Sequence, residues 1–189
     1  MFIYIIGKFG SAKLTLFAKY IPYTPGVKVL DLGCGPATNT FLYCSDDYLG
    51  IDISDKYIKS AQRLFPKHNF LCCNFMSLHD KHKDSYDLII MSGLLHHLGD
   101  EMATKFIEKA SELLKNGGHL ITIDNCLHPN QSNLKQRIIL QDRGKFVRSI
   151  NELNALMPKA YFNISMHIEE NLLLIPYTHL ILVCKSIKI

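Results

Sequence analysis

The sequence predicts a doubly wound α/β fold: a seven-strand, mostly parallel sheet with helices on both faces and an antiparallel hairpin at its carboxyl end. Short continuous apolar runs, typical of fully buried parallel strands, alternate with helical segments, and this alternation predicts right-handed crossovers. The last two runs, 161–168 and 179–185, are joined only by a loop through Pro176, whereas a parallel pair needs a crossover of about a dozen residues or more. These two runs are therefore predicted to form the hairpin.

The predicted parallel strands are five apolar runs that end in polar or small residues: 27–32, 48–52, 69–73, 86–92 and 119–124. Four helices are predicted between and after them: 55–65, with Ser54 as N-cap and Pro66 as terminator; 101–115, ended by Asn116-Gly117-Gly118; 133–142; and one opened by the capping-box spacing of Ser149 and Glu152. Strands therefore alternate with helices up to Asp124, and two helices followed by the two hairpin strands are predicted after it.

The composition is that of an ordinary globular chain. Its 189 residues are 48% hydrophobic and 20% charged, which predicts one domain over 1–189. The formal net charge of +4 is too mild to argue for nucleic acid as a partner. No stretch has the features of a signal peptide or a membrane span, and the six cysteines include no C-x-x-C pair, so we expect a reduced, cytoplasmic protein. His79 and His82 lack partners in a recognised ligand spacing, so no metal site is predicted.

The stretch VLDLGCGPAT, residues 29–38, places an acid and two glycines behind the first strand. Gly33 and Gly35 allow a tight turn and remove the Cβ atoms that would keep a ligand away. Asp52, 19 residues after Gly33, ends the next strand, where a carboxylate can accept hydrogen bonds from ribose hydroxyls. A dinucleotide site has the pattern G-x-G-x-x-G, and the third glycine is missing here. The charge of Asp31 would also repel the pyrophosphate of a dinucleotide. The pattern favours S-adenosylmethionine (SAM), which carries an amino group and a sulfonium cation.

Four stretches resemble the successive motifs of class I SAM-dependent methyltransferases: VLDLGCGPAT, YLGIDIS, SYDLIIMSGLLHHLGD and LLKNGGHLITID. The chain is similar to the small-molecule branch of that family, which has an LHHL-like segment after the fourth strand. The resemblance runs from about residue 27 to 124 and implies a Rossmann-like sheet. It also implies a cofactor site made by these residues: Asp31, Gly33, Cys34 and Gly35 for the methionine moiety, Asp52 for the ribose, Ile53, Asn74 and Phe75 for the adenine, and Met91, Ser92 and Gly93 beside the sulfonium.

Two assignments within that cofactor site leave an alternative. Asn74 stands where the family usually has Asp, and its side-chain oxygen could also accept from the adenine amino group. Phe75 is equally well explained as an ordinary core aromatic.

The acceptor side is expected to use polar residues that follow the fourth and fifth strands. His97 is the candidate general base, because a histidine titrates near neutrality, and the alternative is a histidine that only pins the loop. We expect His96 to be structural. Asp124 and His128 are candidate substrate residues because they follow the fifth strand.

Two further segments are expected to border the acceptor. The segment DRGKFVR contains Arg143 and Arg148, which either bind an anionic acceptor or pair with a nearby acid to fix an inserted element. Residues 125–158 are expected to form a helical insertion that lines the acceptor pocket. Residues 1–22 are expected to form a lid or cover, with Tyr4 facing the pocket.

These expectations describe a SAM-dependent methyltransferase of a small-molecule acceptor, either as a monomer or as a homodimer. An RNA or protein methyltransferase of the same fold is one alternative. The chain has no aromatic-basic stripe of the kind that would favour it. A protein that binds SAM or a nucleotide without chemistry is the other alternative, because a cofactor site does not prove turnover.

Overall fold

The computed structural model describes residues 19–20, 25–78, 82–142, 144–170 and 177–188. Two of the predicted substrate residues, Tyr4 and Arg143, lie outside the described residues, and so does most of the expected cover segment 1–22. The roles predicted for them therefore stay predictions.

The described residues form a sheet with the strands β1 (Val29–Leu32), β2 (Tyr48–Asp52), β3 (Asn69–Cys72), β4 (Tyr86–Ser92), β5 (Leu114–Leu127), β6 (Arg148–Ser149), β7 (Phe162–Glu169) and β8 (His179–Ser186). Their spatial order is β3-β2-β1-β4-β5-β8-β7, and the two-residue β6 pairs with β5. Strands β1 to β5 are parallel, and β8 is antiparallel to both β5 and β7. The prediction of seven main strands, mostly parallel with a carboxyl-terminal antiparallel hairpin, is confirmed.

The described helices are α1 (Asp55–Leu64), α2 (Asp100–Leu113), α3 (Asn133–Leu140) and α4 (Ile150–Ala155). The predicted caps are present: Ser54 Oγ accepts from the Tyr57 amide, and Ser149 and Glu152 form a complete capping box. Helix α2 ends earlier than the predicted 115, because Leu114 already pairs with Tyr86 as the first residue of β5. None of the helices in the described ranges has the length and apolarity needed to cross a membrane.

The strand order reverses between β1 and β4, since β2 and β3 lie to one side of this pair and β5 lies to the other. Right-handed crossovers that run in opposite directions place α1 and α2 on opposite faces of the sheet. In open sheets of this kind, ligands bind beyond the carboxyl ends of the strands at such a reversal. A ligand site is therefore expected at the residues that follow β1, β2 and β4.

The sheet separates two clusters of buried apolar residues. Alternation along β1 sends Leu30 and Leu32 to the larger cluster, which α2 covers, and Val29 to the smaller one. Of the expected cover segment, the described Lys19 and Tyr20 bond the Glu169 carboxylate at the end of β7, at 2.6 and 2.5 Å. These two residues therefore contact the antiparallel edge of the sheet.

Candidate active site

The glycine turn after β1 has the geometry that its sequence predicts. Gly33 and Gly35 have φ values of +66° and +54°, in the left-handed region that glycine adopts most readily. A Cβ on Gly33 would meet a Leu94 methyl carbon at 2.9 Å, so the turn packs closely against the segment after β4. A Cβ on Gly35 would find nothing nearer than the Gly33 carbonyl at 4.0 Å. The backbone at Gly35 is therefore open to a ligand.

Asp52 joins this turn to the end of β2. Its carboxylate accepts one hydrogen bond from the Gly35 amide at 2.9 Å and another from the Ser54 amide at 2.8 Å. The Cys34 amide donates to the carbonyl of Ile51 in the same strand, at 3.0 Å. Each carboxylate oxygen has a second lone pair, so Asp52 retains acceptor capacity for a bound hydroxyl.

The prediction that Asp31 contacts the methionine moiety of SAM is corrected, because Asp31 lies beneath the turn and away from its open side. It alternates with Leu30 and Leu32 along β1, so its side chain points to the face of Tyr48. There it is fully buried and accepts from the Tyr48 hydroxyl at 2.8 Å and from the Asn39 amide group. The expected direct contact of Asp31 with the amino group of SAM is therefore not supported.

A cavity of about 610 Å³ opens at the strand-order reversal and is bounded by the glycine turn. Its wall includes most of the predicted cofactor residues: Gly33, Cys34, Gly35, Asp52, Ile53, Asn74, Phe75, Ser92 and Gly93. This volume lies within the usual range for small-molecule sites. A second cavity, of about 650 Å³, includes Lys83, Asp84 and Ser186 in its wall and does not meet the glycine turn.

The adenine-side residues differ in exposure. Ile53 is 75% exposed on the cavity wall, as expected of a side chain left free to pack against a flat ligand. Asn74 Oδ1 already accepts from the Met76 amide at 3.0 Å, so the oxygen expected to receive the adenine amino group has one donor in place. Phe75 is buried against Phe106 with ring centroids 5.0 Å apart, and both rings line the cavity. Phe75 is thus both a core aromatic and a wall residue.

Of the three residues predicted beside the sulfonium, the structure places two on the cavity. Ser92 and Gly93 line it, whereas Met91 is fully buried in the larger apolar cluster. Met91 shares the face of Ile89, because side chains alternate along β4. The prediction of a cofactor contact for the Met91 side chain is therefore corrected to a core role.

His97 lies on the cavity wall, as expected of a residue on the acceptor side, and its side chain is exposed there. Partial burial lowers its pKa, and the adjacent His96, with ring centroids 4.2 Å apart, lowers it further. Asp142 and Asp124 oppose this shift. The balance favours a neutral imidazole at neutral pH, which is the form that can accept a proton.

Asp124 is directed away from the cavity and pairs with His96. Its side chain is buried on the face shared with Leu120 and Cys126, and Oδ1 lies 2.8 Å from His96 Nδ1. Burial raises the pKa of the Asp124 carboxyl, although its hydrogen bonds with His96 oppose the shift. The structural role expected of His96 fits this arrangement, whereas the substrate role expected of Asp124 does not.

His128 and Arg148 also lie off the cavity wall. His128 Nδ1 accepts from the Asn130 amide at 3.2 Å, within a turn after β5. Arg148 is only 5% exposed and bonds the backbone of the turn that carries His97. Its guanidinium is therefore occupied, and the expectation that Arg148 binds an anionic substrate is corrected. These partners lie about 50 positions earlier in the chain, so no local sequence signal identifies them.

The residues on the cavity fit SAM. The open backbone at Gly35 leaves room that a side chain would fill, and the Asp52 carboxylate stands one strand away with capacity for hydroxyl donors. Ile53 and Phe75 offer apolar surface beside these polar groups.

Comparisons with known proteins indicate a methyltransferase domain. A family model described as a methyltransferase domain matches residues 30–120. The chain is 29% identical over 115 residues to phosphoethanolamine N-methyltransferase 1 of Triticum aestivum, a match that covers 57% of this chain and 23% of that protein. The chain thus spans less than a quarter of the length of this curated relative.

Solved structures share the fold at low sequence identity. A SAM-dependent methyltransferase of Methanosarcina mazei superimposes with a TM-score of 0.73 at 19% identity, covering 92% of this chain and 98% of that one. A SAM-dependent methyltransferase of Archaeoglobus fulgidus gives 0.72 at 18% identity, covering 98% and 99%. The family model begins within β1 and ends within β5, so it spans the glycine turn, Asp52 and His97. The methyltransferase-domain match over residues 30–120, the shared fold and the fit of this cavity to SAM together support a class I SAM-dependent methyltransferase with SAM as its cofactor.

Proposed function

We propose that this protein transfers a methyl group from SAM to a small-molecule acceptor that carries an ionisable N–H or O–H group. The observation that carries the proposal is the joint placement of Gly35, Asp52 and His97 on one cavity at the strand-order reversal. The first two suit the cofactor, and the third supplies a proton acceptor on the wall of the same cavity.

The proposed cofactor contacts come from the carboxyl ends of β1, β2 and β3. The Gly33–Gly35 backbone would hold the methionine part, Asp52 the ribose hydroxyls, and Ile53 and Asn74 the adenine. When bound, SAM supplies a methyl group on a positively charged sulfur, which is a good leaving centre. The main tasks of the protein are then alignment of the acceptor and exclusion of water.

His97 is the proposed general base for an acceptor that must lose a proton. The lowered pKa of His97 keeps its imidazole unprotonated at neutral pH, so a ring nitrogen can take the proton from the acceptor N–H or O–H. Leu94, Leu98, Met102 and Phe106 form apolar wall beside it. These side chains would exclude water from the reacting groups.

Two facts bear on the class of acceptor. The curated relatives are named for phosphoethanolamine, a small amine that carries a phosphate. Since the Arg148 guanidinium is occupied, Arg143 is the other predicted arginine of the DRGKFVR segment for an anionic group, and it lies outside the described residues. We therefore propose a small acceptor with a methylatable heteroatom, with an anionic group as the finer hypothesis.

The test is transfer of label from methyl-tritiated SAM. Purified protein is incubated with a panel of small amines, phosphorylated amines including phosphoethanolamine, phenols and carboxylates, and in parallel with total RNA and with denatured protein. Label in the small-molecule fraction that falls at least tenfold in His97→Gln, with product affinity unchanged, supports the proposal. Label in RNA or protein alone would overturn the small-molecule part. No transfer to any class, with SAM still bound, would favour the binding protein.

A further inference from the structure

The Arg148 guanidinium is bonded on three sides to the segment that carries His97. Nη1 donates to the carbonyl of Leu95 at 2.8 Å, and Nη2 donates to the carbonyl of Leu98 at 2.5 Å. Nε donates to Asp100 Oδ1, also at 2.8 Å, at the start of α2. These partners bracket His97 on both sides, so the guanidinium spans the His97 turn, which is defined here as residues 95–98.

The residues just before Arg148 contact the same turn. The Phe146 amide donates to the carbonyl of His96 at 3.0 Å. Gly144 is buried against His96, where a Cβ would fall 2.0 Å from the ring carbon Cδ2 and 2.7 Å from the His96 carbonyl oxygen. The backbone of 144–148 is thus fitted directly to the turn, and Arg148 completes the contact.

The His97 turn is also held at His96, whose amide and ring bond the Asp124 carboxylate. It is a single 3-10 turn, closed by the Leu98 amide on the carbonyl of Leu95 at 3.1 Å. The Leu98 carbonyl at the end of such a short helix needs a donor from outside it, and Arg148 Nη2 supplies that donor. Arg148 Nη1 adds a second bond to the Leu95 carbonyl, and the planar guanidinium fixes the two donors relative to one another.

We propose that Arg148 is a positioning residue, whose bonds to the carbonyls of Leu95 and Leu98 hold the imidazole of His97 in place on the cavity wall. This proposal rests on the proposed function of His97 as a base. It assigns Arg148 to the placement of the proton acceptor and gives it no contact with the substrate. The ion pair with Asp100 is secondary, because the Asp100 side chain is 82% exposed and surface ion pairs contribute little.

The surroundings of His97 provide a readout that does not depend on turnover. Partial burial and His96 lower the pKa of His97, and Asp124 and Asp142 act in the opposite direction. If the turn loosens, the imidazole becomes more hydrated and moves relative to these charged groups. The pKa of His97 should then return toward its ordinary value of 6.5.

The experiment compares Arg148→Lys and Arg148→Met with the wild type and with Arg63→Met, which removes an exposed arginine in α1. The pKa of His97 is followed by NMR of the imidazole Cε1–H, with the resonance assigned by its loss in His97→Gln. Affinity for S-adenosylhomocysteine, the demethylated product, is measured by calorimetry. We expect Arg148→Met to raise the pKa of His97 toward 6.5, to change product affinity less than threefold and to lower the transfer rate at least tenfold. Arg148→Lys should recover part of both effects, and Arg63→Met should match the wild type.

Two results would overturn the proposal. One is an unchanged pKa of His97 with an unchanged transfer rate in a folded Arg148→Met variant. If that variant does not fold, the same null result in Arg148→Lys is decisive, because lysine lacks the planar fork. The other is a loss of product affinity as large as the loss of rate, which would make Arg148 a general support of the cavity. If the wild type transfers no methyl group, the proposed function fails, whereas the pKa measurement still reports whether Arg148 positions His97.

Discussion

Replacing Asp52 with alanine should weaken binding of S-adenosylhomocysteine about 100-fold. The carboxylate holds the Gly35 and Ser54 amides at 2.9 and 2.8 Å and is proposed to accept from two ribose hydroxyls as well. Hydrogen bonds to a charged group contribute about 1.5 kcal/mol each at the low end, so losing the two to the ligand costs about 3 kcal/mol. Each 1.4 kcal/mol is a factor of ten, and this gives the expected ratio. The two amides lie near the open cavity, where water can replace the carboxylate, so we expect the variant to remain folded.

Calorimetric titration at fixed salt measures this effect, and circular dichroism confirms that the variant is folded. Asp55→Ala is the matched control, because it removes the same charge three residues away, where Asp55 pairs with Lys59 outside the cavity wall. The control should bind within threefold of the wild type, and NAD should bind to none of the three proteins. Product binding by Asp52→Ala at wild-type strength would refute the ribose assignment. Equal losses of product affinity in both variants would show that the negative charge acts at long range and that hydrogen bonds from Asp52 to the ribose do not contribute.

Three further predictions concern the support of the site and its response to pH. Tyr48→Phe removes the hydroxyl that bonds the buried Asp31 carboxylate at 2.8 Å, and chemical denaturation should show a loss of about 1.5–3 kcal/mol in the free energy of unfolding; an unchanged midpoint would contradict this. Gly33→Ala places a Cβ 2.9 Å from a leucine methyl at a φ of +66°, so its melting temperature should fall by several degrees, whereas an increase would refute the strain argument. Burial lowers the pKa of His119 and of His97 below 6.5 in the folded chain. Below pH 6.5 the unfolded chain therefore binds more protons than the folded chain. The free energy of unfolding should therefore be highest above pH 6.5 and decline as the pH falls through the folded-state pKa values, with a smaller decline in His119→Gln.

Local patterns predicted most of the fold. The bounds of β2 and β4 match the predicted runs, because continuous apolar stretches that end at a polar residue have few other ways to be buried. The caps at Ser54 and Ser149 could be predicted from the sequence, because each side chain bonds an amide only three residues later. By contrast, β5 runs from Leu114 to Leu127, well beyond the predicted 119–124, because its ends are set by pairing with β4, β6 and β8. The local sequence pattern of a strand does not show which residues pair with it across the sheet.

The same distinction separates the predictable and unpredictable parts of the candidate site. Gly33, Gly35 and Asp52 follow from the spacing of one strand–turn–strand unit, and the cavity includes all three. Asp31 and Met91 lie within their strands and point to opposite faces of the sheet, where each side chain is buried and neither lines the cavity. The partners of Arg148 in the His97 turn and at Asp100 lie between 48 and 53 residues away along the chain. A cluster of cations in the sequence could therefore predict a binding segment but not the turn that occupies this arginine.

The distance along the chain between Arg148 and the His97 turn has a consequence for synthesis on the ribosome. The bond from Gly35 to Asp52 spans 17 residues, so the cofactor side of the cavity can begin to form soon after β2 emerges. The bond from Arg148 to Leu95 spans 53 residues and requires β5 and α3 to be made first. At about 5–20 residues per second, the roughly 100 residues between the two events take on the order of 5–20 s. During that interval a nascent chain can form the bond between Gly35 and Asp52, whereas the bonds from Arg148 that hold the His97 turn cannot yet exist.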